Sequence, residues 1–128
     1  MAGAYTDIVE IEAPGSAIAG ETVSVQVRVK NTYSGVIGLM CGGALEYGVS
    51  PWPKITFPDD QANVGAGVTQ TFQGYFTMPG ADVKIHAYSY YYASDSAWHF
   101  DDEQTQRVSV AELKPEFSEF VIADYAVV

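Results

Sequence analysis

Two histidines, His86 and His99, are the first side chains to weigh for chemistry, because with Asp101 they make a donor set that zinc accepts. Each falls in a run that alternates like a strand, and a hairpin between the runs would bring them close. Zinc sites usually announce themselves by HExxH, CxxC or His-x-His spacing, and none occurs in this chain. Histidines on outward strand positions among tyrosines read better as surface or stacking residues. The carboxylates cluster at Asp59-Asp60 and at Asp101-Asp102-Glu103. A glycosidase needs two carboxyls flanking a cleft, for which a small sandwich has little room. Calcium suits these loops better, since it takes about six to eight oxygens from carboxylates and carbonyls. Asp59, Asp60, Asp101 and Asp102 are therefore the candidate calcium ligands, and calcium is the one cofactor expected at all. Against it stand the lack of a DxDxDG loop and the rule that neighbouring strand residues face opposite ways. Cys41, between Met40 and Gly42, reads as a small buried residue and not a nucleophile. No Gly-x-Ser-x-Gly elbow is present, so no catalytic residue is assigned and the chain is not expected to be an enzyme.

The other chemistry on offer is aromatic. Tyr88, Tyr90 and Tyr92 alternate along one strand-like run, with Trp98 and His99 just beyond it. Alternate tyrosines share one face of a strand and form a flat strip, as protein interfaces and carbohydrate-binding sheets do. Cross-strand pairing that merely shields a sheet is the plainer use of the same residues. Trp52, between Pro51 and Pro53, reads either as a loop anchor at a contact or as a plug for the end of the core.

These residues must be carried by strands, because the dominant period of the chain is two. Tyr5–Glu12 is a first strand closed by Pro14-Gly15. In Thr22–Lys30, Val23, Val25, Val27 and Val29 share one face and Ser24, Gln26, Arg28 and Lys30 the other. Val36–Val49 is apolar but punctured by Gly38, Gly42, Gly43 and Gly48, which predicts a bent or broken strand. Lys54–Phe57 reads as a brief edge strand and Pro58–Gly67 as a loop. Val68–Met78, Asp82–Tyr92 and Ala97–Val110 follow as strands, the last two joined by a short hairpin link. No window carries helical spacing. The expected fold is all-β: an Ig-like Greek-key β-sandwich of about seven strands over residues 1–110, with an additional C-terminal strand.

Composition excludes several partners. The net charge of −10 comes from 16 acidic and 6 scattered basic residues, which argues against nucleic acid. No apolar run is long enough for a membrane-spanning helix, so no membrane insertion is expected. A single cysteine leaves no internal disulfide.

The run Gly20-Glu21-Thr22-Val23-Ser24-Val25, continuing through Val27 and Val29 to Lys30-Asn31, resembles the second strand of immunoglobulin-like modules in bacterial and archaeal surface proteins. These are the cell-adhesion-related, CARDB-like sandwiches. Phe72–Pro79 followed by Asp82-Val83 is similar to the aromatic strand of such modules, which ends at a proline. The resemblance spans about residues 5–110 and implies a non-enzymatic module, repeated in tandem or built into an extracellular assembly. The expected location is extracellular, on the cell surface or in a virion.

A hinge at 111–116 then leads to Phe117–Val128, an apolar strand whose texture resembles that of the first strand. Phe117, Phe120, Ile122, Tyr125 and Val127 are its candidate interface residues, alongside Tyr88, Tyr90, Tyr92 and Trp98. Such a strand joins its own sheet, pairs with another copy of the chain, or begins a following module. The expected function is a structural or adhesive building block, a surface filament or virion component, whose partners are other copies or a neighbouring module. The alternative is a carbohydrate-binding module that holds a polysaccharide on the tyrosine strip.

Overall fold

The computed structural model describes residues 3–111. Eight strands follow one another without a helix: β1 (Thr6–Glu12), β2 (Ser16–Ile18), β3 (Thr22–Asn31), β4 (Ile37–Glu46), β5 (Gln61–Val64), β6 (Thr69–Thr77), β7 (Val83–Tyr92) and β8 (Trp98–Ala111). They form a three-stranded sheet of order β1-β3-β6 and a five-stranded sheet of order β2-β8-β7-β4-β5. All pairs are antiparallel except β2 with β8. The fold is thus the all-β sandwich that the period of two predicts.

The alternating valines of β3 do what their spacing requires. Val23, Val25, Val27 and Val29 are all buried, opposite Leu39, Cys41 and Leu45 of β4 and Val83, Ile85 and Ala87 of β7. Phe72, Phe76 and Met78 complete the layer between the sheets. Burying a side chain of this size stabilises by roughly 1.5–3 kcal/mol, so this layer dominates the fold's stability. Asn31, at the end of β3, is fully buried and fully bonded. Its Nδ2 donates to the carbonyls of Gly35 (2.9 Å) and Val64 (2.8 Å), and its Oδ1 accepts from the Tyr33 N–H (2.8 Å). That explains an asparagine at the end of an apolar strand, since a buried amide is tolerated only when paired.

Pro14-Gly15 is less a stop than a sheet switch. The chain leaves β3's edge after Glu12 and re-pairs as β2 on the far sheet, where Ser16, Ala17 and Ile18 lie beside Ser109, Val110 and Ala111.

Three sequence expectations are corrected here. β4 is continuous through Gly42 and Gly43, paired with β7 from Leu39 to Glu46, so glycine does not break it. Residues 58–67 are not all loop, because Gln61–Val64 pair with β4 as an edge strand. Lys54–Phe57 belongs to neither edge alone: Ile55 N–H donates to Gly43 (2.9 Å), while Thr56 and Tyr75 exchange both backbone bonds. That segment closes one side of the sandwich by touching both sheets, and it drops Ile55 and Phe57 into the core. The strand expected at 117–128, and its five candidate interface residues, lie outside the described residues.

Candidate functional site

Register decides which side chains share the outer face of the five-stranded sheet. On β7 the outward set is His86, Tyr88, Tyr90 and Tyr92, as the alternation predicts. Their cross-strand partners on β4 are Ala44, Gly42 and Met40, and on β8 they are Thr105, Glu103, Phe100 and Trp98. β5 adds Gln61 and Asn63 opposite Met40 and Gly38. The face is therefore aromatic on the β7–β8 side and amide-lined on the β5 side, with almost no side chain between.

The aromatic half is ordered by edge and face contacts. Phe100 lies between Tyr88 and Tyr90, its ring centroid 5.9 Å from each at 69° and 71°. Tyr92 meets Trp98 edge-on at 5.1 Å. Such contacts stabilise aromatic pairs by about 0.5–1.5 kcal/mol beyond area burial. Yet Phe100 remains 56% exposed, Tyr92 44% and Trp52 40%. Burial chiefly, and Glu103 second, raises the Tyr88 phenol above its ordinary value; burial does the same for Tyr90. Both hydroxyls stay neutral hydrogen-bonding groups in ordinary solution.

His86 ends the row and is not a free ligand. Trp52 stacks over it at 4.5 Å and 24°, leaving it only 7% exposed. Its Nδ1 lies 2.6 Å from Glu103 Oε2 and its Nε2 2.8 Å from Glu46 Oε1. Both ring nitrogens are thus engaged by carboxylates, one from β4 and one from β8, and this fixes the ring on the sheet face. Trp52 is thereby a loop anchor on the sheet face, not a plug for the core.

The metal expectations find no assembled site. His99 pairs in register with Tyr91, on the opposite face of the hairpin from His86, and stacks on that ring at 5.4 Å. It bonds Asp95 (2.8 Å), whose carboxyl is held below its usual range first by that bond. Asp101 is the extra residue of a bulge in β8, where Ser89 pairs Asp102 and Tyr90 pairs Phe100. The bulge corrects the expectation that neighbouring aspartates must face apart, for both reach the start of the chain. Asp101 accepts from the N–H groups of Ala4 (2.8 Å), Tyr5 (3.1 Å) and Thr6 (2.7 Å) and from the Thr6 hydroxyl. Asp102 accepts from Ile8 N–H at 2.9 Å. The two acids pin β1 to the far sheet. Asp60 instead lines the aromatic face, beside Asp59 in the preceding loop. Among the described residues no group of three His, Cys, Asp or Glu side chains is placed to hold an ion. Calcium at Asp59, Asp60, Asp101 and Asp102 therefore has no common centre.

Two hollows of about 340 Å³ each open on this face. One is floored by Gly42 between Tyr88, Tyr90, Trp52, Lys54 and Asp60; the other is floored by Gly38 between Tyr92, Trp98, Gln61 and Asn63. Of these, Tyr88, Tyr90 and Tyr92 were legible from alternation, and Trp98 from its place just beyond them. Phe100, Gln61, Asn63 and the glycine floor were not. The available signal was the spacing of Gly38, Met40 and Gly42, which puts all three on one face. Cys41 turns inward beneath them, buried as expected, and its thiol is pushed up to about 12 by desolvation and then by Asp60.

No protein-family model matches the chain, and no curated protein matches it. Solved structures do. Strand order and layers are those of an immunoglobulin-like sandwich, and a CARDB domain from Pyrococcus furiosus, solved with di-metal ions, is similar over 87% of this chain and 93% of its own, with a TM-score of 0.58 and 14% identity. An alkylpurine DNA glycosylase from Pseudomonas fluorescens matches 84% of this chain with a TM-score of 0.59 and 12% identity, but over only 31% of its own length. A β-glucosidase from Listeria innocua, in complex with glucose, matches 85% of this chain over 17% of its own, with a TM-score of 0.55 and 14% identity. The chain thus spans under a third of the two enzymes. At these identities the likeness establishes the fold alone.

Proposed function

We propose that the chain is a non-catalytic adhesive building block of an extracellular assembly, a surface filament or part of a virion. The observation that carries this reading is the exposed aromatic face, with Phe100 at its crest between Tyr88 and Tyr90. Contiguous exposed aromatic surface is costly to leave in water and marks contact sites. The groups that could have done catalysis are otherwise engaged: His86 between two glutamates, Asp101 and Asp102 on backbone N–H groups. Partners are other copies of the chain or a neighbouring module, met through strand pairing and through Phe100 and Trp98.

Sedimentation velocity of three forms tests the reading: the full chain, the chain ending at Glu116, and Phe100→Ser. Association of the full chain should rise with concentration, weaken in Phe100→Ser and vanish on truncation. Monomers at every concentration in all three forms would remove the assembly role.

A further inference from the structure

Gly42 is a mid-strand glycine whose identity the packing does not explain. Its backbone φ is not in the left-handed region, which among glycines of the described residues is reached only by Gly20, Gly48 and Gly67. A Cβ built on it would meet only the edge of the Tyr90 ring, at 3.6 Å, an ordinary contact. Its neighbour Gly43 is the opposite case: a Cβ there would lie 2.9 Å from Ile55 and 3.1 Å from the His86 carbonyl, so the core demands glycine. Glycine inside a strand is destabilising relative to alanine, because it loses more chain freedom on folding. At position 42 nothing in the packing offsets that cost. What the missing side chain does is keep a hollow open between Tyr88, Tyr90 and Trp52.

Gly38 floors the second hollow, although there a Cβ would lie 3.2 Å from Tyr92 Cβ and 3.5 Å from Asn63 Oδ1, so packing also favours glycine. It lies four residues along the same strand, about 13 Å away at strand rise, on the same outer face. Met40 separates the two hollows, and Gln61 Nε2 approaches its sulfur at 3.9 Å. The hollows and the methionine make one groove along β4. Its β7 wall offers ring faces and edges from the tyrosines; its β5 wall offers the amides of Gln61 and Asn63 and the carboxylate of Asp60.

A glycan chain is the ligand whose chemistry has the same two sides. Sugar rings present apolar C–H faces that pack on aromatics and equatorial hydroxyls that both donate to and accept from amides and carboxylates. Two hollows separated by several ring lengths select a chain over a single sugar. Charge selects a neutral one. Lys54 and Asp60 offset each other in the first hollow, the second is lined by uncharged side chains, and the chain's net charge of −10 repels polyanions. We infer that the groove floored by Gly38, Met40 and Gly42 binds an extended neutral polysaccharide. This goes beyond the assembly contacts, which use the Phe100 crest and share only Trp98 with the groove.

Affinity electrophoresis of the full chain through gels containing hydroxyethyl cellulose, galactomannan, laminarin or alginate tests it. At least one neutral polysaccharide should retard the protein, and alginate should not. Gly42→Val, which fills the hollow without touching the core, should weaken retardation by about tenfold or more at an unchanged melting temperature. The pair Gln61→Ala and Asn63→Ala, exposed on an edge strand, gives a second disruption should the valine perturb the sheet. Absence of retardation by all three neutral polymers, retardation by alginate instead, or retardation indifferent to both sets of variants would each overturn the proposal. Sedimentation of Gly42→Val separates the two readings. If that variant loses self-association while no glycan retards the wild-type chain, the groove seats a second copy: the assembly reading then stands and the polysaccharide falls.

Discussion

The outer faces of the two sheets differ more than their inner ones. Inside, both walls are apolar, largely aliphatic with Phe72 and Phe76 on the three-stranded side, because both serve one core. Outside, the three-stranded sheet shows Ser24, Gln26, Arg28 and Lys30 on β3 against Thr71, Gln73 and Tyr75 on β6. Arg28 lies across that face to Glu10 at 2.5 Å and Glu12 at 3.1 Å. This is an ordinary solvated surface. The five-stranded sheet carries, at equivalent outward positions, four aromatics of β7 and β8 around Phe100 and two glycines. Folding needs only that outward positions avoid the core, so it favours neither surface. The difference reports what the second face touches.

The largest effect belongs to an inner position that mirrors Gly42. A Cβ on Gly74 of β6 would lie 2.7 Å from two atoms of the Phe57 ring and 2.8 Å from the Thr56 carbonyl. Gly74→Val should cost about 3 kcal/mol or more by overpacking, a fall in melting temperature on the order of 10 °C. Equal melting temperatures for Gly74→Val and Gly42→Val would break the distinction between a glycine the core needs and one the surface keeps.

Next comes Asp101, on the aromatic sheet but structural in role. Asp101→Ala strands three backbone N–H groups and a hydroxyl at the start of β1. The expected loss is about 2–3 kcal/mol, read as a lower urea midpoint at constant slope. Phe100→Ser, its neighbour, should lose about 1 kcal/mol, the low end for two edge contacts, with Tyr88 and Tyr90, on a ring that is already largely exposed. A larger loss for Phe100 than for Asp101 would mean that the aromatics hold the sheet together, and the face would cease to read as a contact surface.

Alternation made the inner walls legible in the sequence: β3 and β7 are read correctly residue by residue, because burial of one strand face writes a period of two into the chain. Tyr88, Tyr90 and Tyr92 followed from the same rule. What it could not show depends on distant pairing. Asp101 and Asp102 look like a cation loop until the bulge opposite Ser89 turns both toward β1. Gly38 and Gly42 look like strand breakers until β7 lies alongside and gives their gap an aromatic wall. His86 looks like a surface residue until Trp52, 34 positions earlier, folds over it. In each case the residue's role is set by a neighbour far away in the chain.

A smaller effect is chemical. Cys41 lies directly beneath the groove, and burial lifts its thiol from an ordinary 9.0 to about 12. A thiol whose folded value is raised contributes stability that is whole below the unfolded value. That contribution fades as pH climbs from about 9 toward 12, because the unfolded chain ionises first. Tyr88 and Tyr90 are raised in the same sense and add to the alkaline loss. Cys41→Ala should flatten the fall of urea midpoint with pH in this window. Iodoacetamide at pH 9 should label Cys41 only as fast as the protein unfolds. Rapid labelling of the folded chain would mean that the groove floor opens, and that the aromatic face is less fixed than the polar one.

The smallest expected effect is on the polar face itself. The Arg28 guanidinium is raised above its ordinary value first by its hydrogen bond to Glu12, yet the pair lies at the solvated surface, where such pairs contribute little. Arg28→Ala should leave the melting curve, the sedimentation profile and retardation by neutral polysaccharide indistinguishable from wild type. Screening supports this: at physiological salt a charge on one outer face is more than a Debye length, about 8 Å, from the other across a sandwich whose sheets alone pack about 10 Å apart. A change in retardation or association on losing Arg28 would therefore have to come from direct contact, placing the three-stranded face in the binding surface. The contrast between the two faces would then no longer divide contact from solvent.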